Sequence, residues 1–526
     1  MSQNPSLDVD VFVVGAGPTG LSAAIEAARQ GLSVSIIDSK PHRSTYSKAL
    51  VVHARTMETF ESMGVSDAVR AAGVPFSALR IHPGSSVQPV RVNLMGLPWG
   101  DTRFPYWLSI PQYETERCLE EHLADLGVQV QWNTSFQSLV DQGDFVETQI
   151  QTEDGSIRTV RSSWLVGCDG GRSQVREQAG LVFERKNIGE TFILADVCGD
   201  TPHPEDEGTS SLSRHGVLFL VPMPEPKKWR IIAHIPNHRE GEPIEIDEPF
   251  VNDLLQRRLG LSFGAHDITW RSQFVLQQGV ARNYRSGRIF IAGDAAHLHS
   301  PVGGQGLNTG VQDAAALLWR IALAEKTSLA TEALLDSYTE ERRAIAKSMV
   351  KTTTLATKVM TLQNPFVAGF RNLMARRLLP LPWVQRKLGR GVGMLDLVTT
   401  QSHTLLSTGL HRKLVGRRLP NPQWDGKWLH EWLHREQHSL LYIRRQGGDW
   451  DKAFSVEGLA TVPLSAEFLK ENVEGLALEL QSIFRDGKMV VVRPDRVVVG
   501  VVRSVDELER KAEQTLGFGA ASPQPS

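Results

Sequence analysis

At 526 residues and 58.3 kDa the chain is too long for one compact core, and ordinary domain sizes predict roughly three to four modules. A hydrophobic share of 41% with 22% charged residues excludes a disordered or fibrous protein, and 57 Lys+Arg against 59 Asp+Glu (net −2) leaves no basic excess for nucleic acid. Cys118, Cys168 and Cys198 form no Cys-x-x-Cys pair, so a disulfide framework or a zinc ribbon is excluded and no metal site is expected. There is no uncharged apolar run of about 18 residues and no signal-peptide pattern in MSQNPSLDVD, so a soluble, cytoplasmic protein without a membrane span is expected.

Residues 9–38, VDVFVVGAGPTGLSAAIEAARQGLSVSIID, carry the first informative pattern. An apolar run suited to a strand buried on both faces enters Gly15-Ala16-Gly17-Pro18-Thr19-Gly20, a G-x-G-x-x-G turn. An Ala-rich helix follows, Gly31 marks its stop, and a second apolar strand ends at Asp38, 18 residues after Gly20. Chemistry follows from that spacing. Gly15 permits the tight turn, Gly17 lets the backbone approach a pyrophosphate, and Gly20 lets helix pack on strand. The helix start offers free N–H groups to phosphates, and Asp38 stands where a carboxylate accepts ribose hydroxyls. The motif predicts a dinucleotide without choosing between FAD and NAD.

Residues 164–176, WLVGCDGGRSQVR, run an apolar strand into Asp169-Gly170. Asp169 there reads either as part of a ligand loop or as a satisfied turn aspartate. Residues 181–284 alternate apolar strands with polar turns and predict a second sheet, with Arg214, His215, Trp229 and His234 in or near its strands. His215 and His234 are its candidate catalytic bases, although a strand histidine is more often structural. Residues 288–310, RIFIAGDAAHLHSPVGGQGLNTG, repeat the strand-to-Gly-Asp pattern, followed by a glycine-rich loop and a helix from about Asn308. Asp294 is placed to accept from a ribityl hydroxyl, or else to cap a helix. Gly304 and the amides of Gly306, Leu307 and Asn308 are placed to meet an anionic isoalloxazine edge. Residues 352–398 look helical, and 371–390 contain six bases and no acid, which reads as a solvated basic face or as a surface for an anionic partner. Residues 389–393, GRGVG, have no preceding apolar strand and are no nucleotide turn. Gly416-Arg417-Arg418-Leu419-Pro420 reads as a linker turn, and strand-like runs follow at 440–443 and 488–502. Residues 519–526 are expected to be disordered.

Together these motifs resemble the class A FAD-dependent aromatic monooxygenases, the para-hydroxybenzoate and phenol hydroxylase-like family. Gly15–Gly20 is similar to its FAD fingerprint, 168–176 to its DG motif and 293–310 to its GD motif, in the family's order; the resemblance covers about residues 8–350. It implies further cofactor contacts at Gln112 in PQYETERCL and at Lys48 and Arg55 in KALVVHARTMETF. Asp38 stands where the family usually has Glu, Lys48 where it commonly has Arg, and Ala316 where it often has Asn. The resemblance also implies a carbonyl role for Pro301 beside the reacting oxygen. The implied fold is α/β: a Rossmann-like FAD-binding domain (1–80, 111–180 and 285–350) with an inserted β-sheet substrate domain (81–110 and 181–284). A helical segment (351–409) and a thioredoxin-like C-terminal domain (410–526), carrying Arg493-Pro494-Asp495 but no Cys-x-x-Cys, complete it.

The implied activity is hydroxylation of a phenolic or polyketide-like small aromatic by bound FAD, with NAD(P)H as transient co-substrate and O2 captured as a flavin C4a-hydroperoxide. A homodimer is a family-level expectation. Two alternatives remain at this point: a flavin-dependent reductase or oxidase on the same fold, and a non-catalytic flavin-binding protein. The halogenase motif W-x-W-x-I-P is absent, which argues against halogenation.

Overall fold

The computed structural model describes residues 6–511 except 48, 84–87, 98, 214, 240, 301–302, 327–331, 363, 400–401, 407–412, 445–458, 472, 474–475, 505 and 509. Lys48, Arg214, Pro301 and the terminal segment 519–526 therefore lie outside the described residues.

Val9–Val14 (β1) is apolar apart from Asp10, its last four residues are buried, and it lies in the middle of a run of parallel strands. Pro18–Arg29 (α1) follows with proline in its first turn, where the missing N–H costs nothing, and Val34–Ile37 (β2) returns alongside. The parallel strands run in the order Ile289–Ile291, Ile157–Gly167, β1, β2, Val130–Gln131. The loops leaving β1, Ile157–Gly167 and Ile289–Ile291 therefore emerge side by side at one sheet edge, where such sheets bind ligands. Phe12, Ile36, Leu165 and Phe290 have no exposed surface in the core between this sheet, α1 and the helix Gly306–Lys326.

A second sheet of eight strands is largely antiparallel. Its longest strands, Phe183–Cys198 and His266–Ala281, are 16 residues each and pair along most of their length. Ala78–His82 and Val90–Asn93 form its far edge, so this sheet begins a few residues before the boundary expected at 80/81. The helices Glu332–Met360, Pro365–Leu378 and Pro382–Val392 follow, and residues 389–393 fall at the end of the last of them, with no strand before them.

The C-terminal sheet has the order Leu459–Leu464, His438–Ile443, Met489–Val492, Val498–Val502; the first pair is parallel and the other two are antiparallel. Residues 416–420 correct the expectation of a linker. Arg418 pairs with Val497 in a β-bridge, and its guanidinium is buried against Glu58 (3.1 Å) and Asp101 (3.0 Å). Arg493, also buried, bridges Asp495 (2.8 Å) and Glu341 (2.7 Å), and Glu341 takes a second arginine, Arg320, at 2.8 Å. Burial alone would raise the Glu341 carboxyl, but the two guanidiniums outweigh it and hold it below the ordinary carboxylate range. This network fixes the C-terminal sheet to the helices Gly306–Lys326 and Glu332–Met360.

Candidate functional site

The glycine turn after β1 has the shape its spacing predicts. Gly15 adopts φ +102°, and a Cβ there would lie 2.5 Å from the Cys168 carbonyl oxygen. A Cβ on Gly20 would sit 1.8 Å from the Gly15 oxygen, so α1 can approach β1 only without a side chain at that position. Gly17 differs, because a Cβ there meets nothing within 4 Å. Gly17 is the N-cap of α1 and no side chain caps the helix, so its first amides face that open space. Open space, uncapped amides and the positive end of a helix suit a pyrophosphate. Asp38, almost fully buried at the end of β2, accepts from the Ala16 amide (2.9 Å) and the Lys40 amide (2.9 Å). It thus braces the turn itself, and each oxygen keeps a second lone pair for a ribose hydroxyl.

The other two loops are joined to this turn. Thr19 packs where side chains on Gly293 and Gly310 would collide with it: their Cβ atoms would lie 2.5 Å and 2.1 Å from its Oγ1. Arg176 donates to the Ala295 carbonyl (2.8 Å) and the Gly171 carbonyl (3.1 Å), tying the Asp169 loop to the Asp294 loop. The Asp169 carboxylate accepts from Ser173 Oγ (2.5 Å), Gln174 N (2.8 Å) and Val175 N (3.1 Å), and so organises the start of the helix Gln174–Gln178. Asp294 is exposed in the short helical turn Gly293–Ala295.

Beneath that turn lies a residue the sequence did not single out. Asp313 has no exposure and accepts from the Gly293 amide (3.0 Å), Arg342 Nε (2.6 Å) and His297 Nε2 (2.6 Å). Burial would raise its carboxyl, but Arg342 and His297 prevail and hold it below the ordinary aspartate value.

The glycine-rich loop is held from the opposite side by Val51–Val52 and the start of the helix Ala54–Met63. His53 Nε2 donates to the Gly303 carbonyl (2.6 Å), while Asn308 accepts from the His53 amide (2.8 Å) and donates to the carbonyls of Val51 (2.8 Å) and Gly304 (2.7 Å). Gly303 and Gly304 take φ +88° and +62°, which glycine alone adopts freely. Burial lowers the His53 pKa to about 4, partly offset by the Gly303 carbonyl, so the ring is neutral at physiological pH. Gln112, at the start of the helix Gln112–Asp125, accepts from Ala49 N (3.2 Å) and donates to Glu116 (2.8 Å).

Three expected site residues have other surroundings. The Arg55 guanidinium donates to the Asp495 carbonyl (2.6 Å) and pairs with Glu58 (3.3 Å), so it faces the turn between Met489–Val492 and Val498–Val502, which corrects its assignment to the cofactor. It lines a cavity of about 50 Å³ at that junction, together with Gln312, Trp319 and Arg418. His215 is exposed in the hairpin turn between Glu207–Ser213 and Gly216–Pro222, not enclosed in a pocket. His234 is buried in the second sheet, with Nε2 2.5 Å from Glu190 and its ring 5.3 Å from Phe192, both on the neighbouring strand. Burial lowers its pKa against the opposing pull of Glu190. Both histidines read as parts of the sheet rather than as bases above the loops.

The family model described as "FAD binding domain" matches residues 8–353, which include all of these loops. The chain belongs to the FAD-binding-domain family of flavin-dependent monooxygenases. Its similarities extend over nearly the whole length. The uncharacterized aromatic compound monooxygenase YhjG of Bacillus subtilis (strain 168) is 34% identical over 94% of either chain. A rifampicin monooxygenase of Rhodococcus hoagii is 33% identical over 97% of this chain and 99% of its own. Among solved structures, the OxyS anhydrotetracycline hydroxylase of Streptomyces rimosus matches with a TM-score of 0.76 at 28% identity, over 97% of this chain and 99% of that one.

For this flavoprotein the His53 contact makes a direct expectation. His53→Phe removes the donor to Gly303 and should weaken FAD binding about fivefold, the value of roughly one net hydrogen bond. His53→Gln, whose amide N–H has a similar reach, should recover most of it. Fluorescence titration of the apoprotein with FAD measures both.

Proposed function

We propose that this monooxygenase uses NAD(P)H and O2 to hydroxylate a phenolic or polyketide-like aromatic. The observation that carries this reading is the meeting of the Gly15–Gly20, Asp169 and Asp294 loops at adjoining strand ends, braced from below by Asp313. Relatives named as aromatic-compound, tetracycline-pathway and pentachlorophenol monooxygenases support the substrate class. FAD, when bound, supplies the electron transfer and O2 activation; the chain must hold it, orient the acceptor and exclude water.

In this reading the turn of residues 15–20 holds the pyrophosphate through the free N–H groups of Gly17, Thr19 and Gly20, and Asp38 holds a ribose. Asp294 meets the ribityl chain, while Gly304, Gly306, Leu307 and Asn308 present backbone to the isoalloxazine. Gln112 stands beside the nucleotide, and Asp169 acts by shaping its loop. Lys48 and Pro301 keep their expected roles as part of the proposal. The second sheet covers the loops as the substrate domain, within the boundaries expected from the sequence apart from the strands Ala78–His82 and His297–Leu298. The C-terminal sheet order, one parallel pair followed by two antiparallel ones, supports a thioredoxin-like domain, and without Cys-x-x-Cys its work is bracing rather than disulfide exchange. No helix among the described residues is long and apolar enough to cross a membrane, and we place the enzyme in the cytoplasm.

The test is the visible spectrum of the purified protein, followed by NAD(P)H consumption against a panel of phenols and polycyclic aromatics under isotopically labelled O2. Bound flavin with label in the product is expected. NAD(P)H oxidation on every acceptor with no label in any product would replace hydroxylation by a reductase or oxidase activity, and absence of flavin after reconstitution would remove the cofactor itself.

A further inference from the structure

Residues 342–395 contain eleven Lys and Arg and no Asp or Glu, in a chain whose net charge is −2. Some of these cations turn inward: Arg342 to Asp313, Arg371 to backbone carbonyls including Leu212, and Arg390 to Asp101. Lys351, Lys358, Arg376, Arg377 and Lys387 instead lie exposed, and none has an ion pair among the described residues.

The same stretch exposes apolar surface. Nine of the seventeen large apolar side chains left exposed among the described residues fall within residues 355–383, so they concentrate in one segment rather than scatter over the surface. Phe366 (87% exposed), Phe370 (64%) and Leu373 (48%) are spaced i, i+4, i+7 on one face of the helix Pro365–Leu378, and Arg377 continues that line. Trp383 (64%) stands exposed at the start of the next helix, Pro382–Val392. A surface helix ordinarily turns its apolar stripe to the core; this one turns it to solvent and is anchored from behind by Ala368 and Arg371.

Charge decides what covers the patch. A second copy meeting it about a twofold axis would bring the same basic residues face to face, with no acid in the segment to pair with them. Exposed aromatic and leucine side chains flanked by unpaired Lys and Arg match an anionic lipid surface instead, where the rings enter the interface and the cations reach headgroup phosphates. We infer that the helical arm of residues 351–387 docks this monooxygenase on an anionic membrane surface. Arg371 holds the arm to the strand Glu207–Ser213 through the Leu212 carbonyl, so a docked enzyme keeps its second sheet beside the bilayer.

The test is co-sedimentation of the FAD-loaded full chain with vesicles of phosphatidylcholine alone, or of phosphatidylcholine with phosphatidylglycerol, at low and high salt. Binding is expected on the phosphatidylglycerol vesicles only, falling as salt rises. Arg376→Gln with Arg377→Gln should weaken it about twenty-fivefold, about fivefold per charge. Phe366→Ser with Phe370→Ser should abolish it, with flavin content and solution turnover unchanged in both double variants. No binding by the wild type, or equal binding by the wild type and both variants, overturns the inference. So does a dimer-to-monomer change in the phenylalanine variant by analytical ultracentrifugation, which would make a second copy the occupant.

Discussion

Gly17→Ala is expected to leave the apoprotein folded while weakening FAD binding about a hundredfold, whereas Gly20→Ala should fail at the level of the fold. The two glycines are three residues apart and look interchangeable in the motif, yet their surroundings differ completely. A methyl on Gly17 enters open space at extended backbone angles (φ −77°, ψ −178°), so apoprotein stability should change by less than about 1 kcal/mol. That space is where a pyrophosphate must approach the helix amides, and losing one or two charge-assisted hydrogen bonds there costs about 3 kcal/mol of binding. A methyl on Gly20 lies 1.8 Å from the Gly15 oxygen, and no rotamer relieves a backbone collision. The helix must lift off the strand at the centre of the sheet, costing at least about 3 kcal/mol. Denaturant unfolding of both apoproteins and fluorescence titration with FAD separate the cases. Unaltered FAD affinity in Gly17→Ala would remove the pyrophosphate from this turn.

The parts of the site that could be read from the sequence are those whose partners lie close along the chain. β1, the turn, α1 and β2 occupy 29 consecutive residues, and each local preference agrees with the fold around it. The strands before Asp169 and Gly293 were legible for the same reason, since an apolar run stops abruptly at a glycine-containing turn. Asp313 was not, because in DAAALLWR it looks like any helix acid, and its partners Gly293, His297 and Arg342 are 20, 16 and 29 residues away. Arg55 failed in the opposite sense. Its local pattern fits a cofactor contact, but the direction of its side chain is set by Asp495, 440 residues later. Gly416–Pro420 has linker composition, and only the distant Glu58 and Asp101 make Arg418 a buried anchor. His53 gave no signal, since its role is to donate to a carbonyl 250 residues away.

Asp313→Ala is expected to cost about 3–5 kcal/mol of unfolding free energy, the usual result of removing one partner from a buried ion pair. The penalty arises mainly from what stays behind. Arg342 is left buried with no countercharge on its Nε, while the Gly293 amide and His297 Nε2 each lose their acceptor. Gly293 begins the turn that carries Asp294, so FAD affinity should fall along with stability, though Asp313 itself is covered by protein. Asp313→Asn keeps the shape and one acceptor oxygen and should cost less than the alanine variant. The pH dependence carries a definite sign. A carboxyl held below its ordinary pKa of 3.8 stabilises the fold fully above that value and loses the contribution as pH falls through its lowered pKa. The stability gap between wild type and Asp313→Ala should therefore stay constant from neutrality down to about pH 4 and narrow only below it. Denaturant unfolding of the two apoproteins across that range measures the gap. A gap that closes well above pH 4 would mean that another group, not the Asp313 carboxylate, supplies the charge holding this junction.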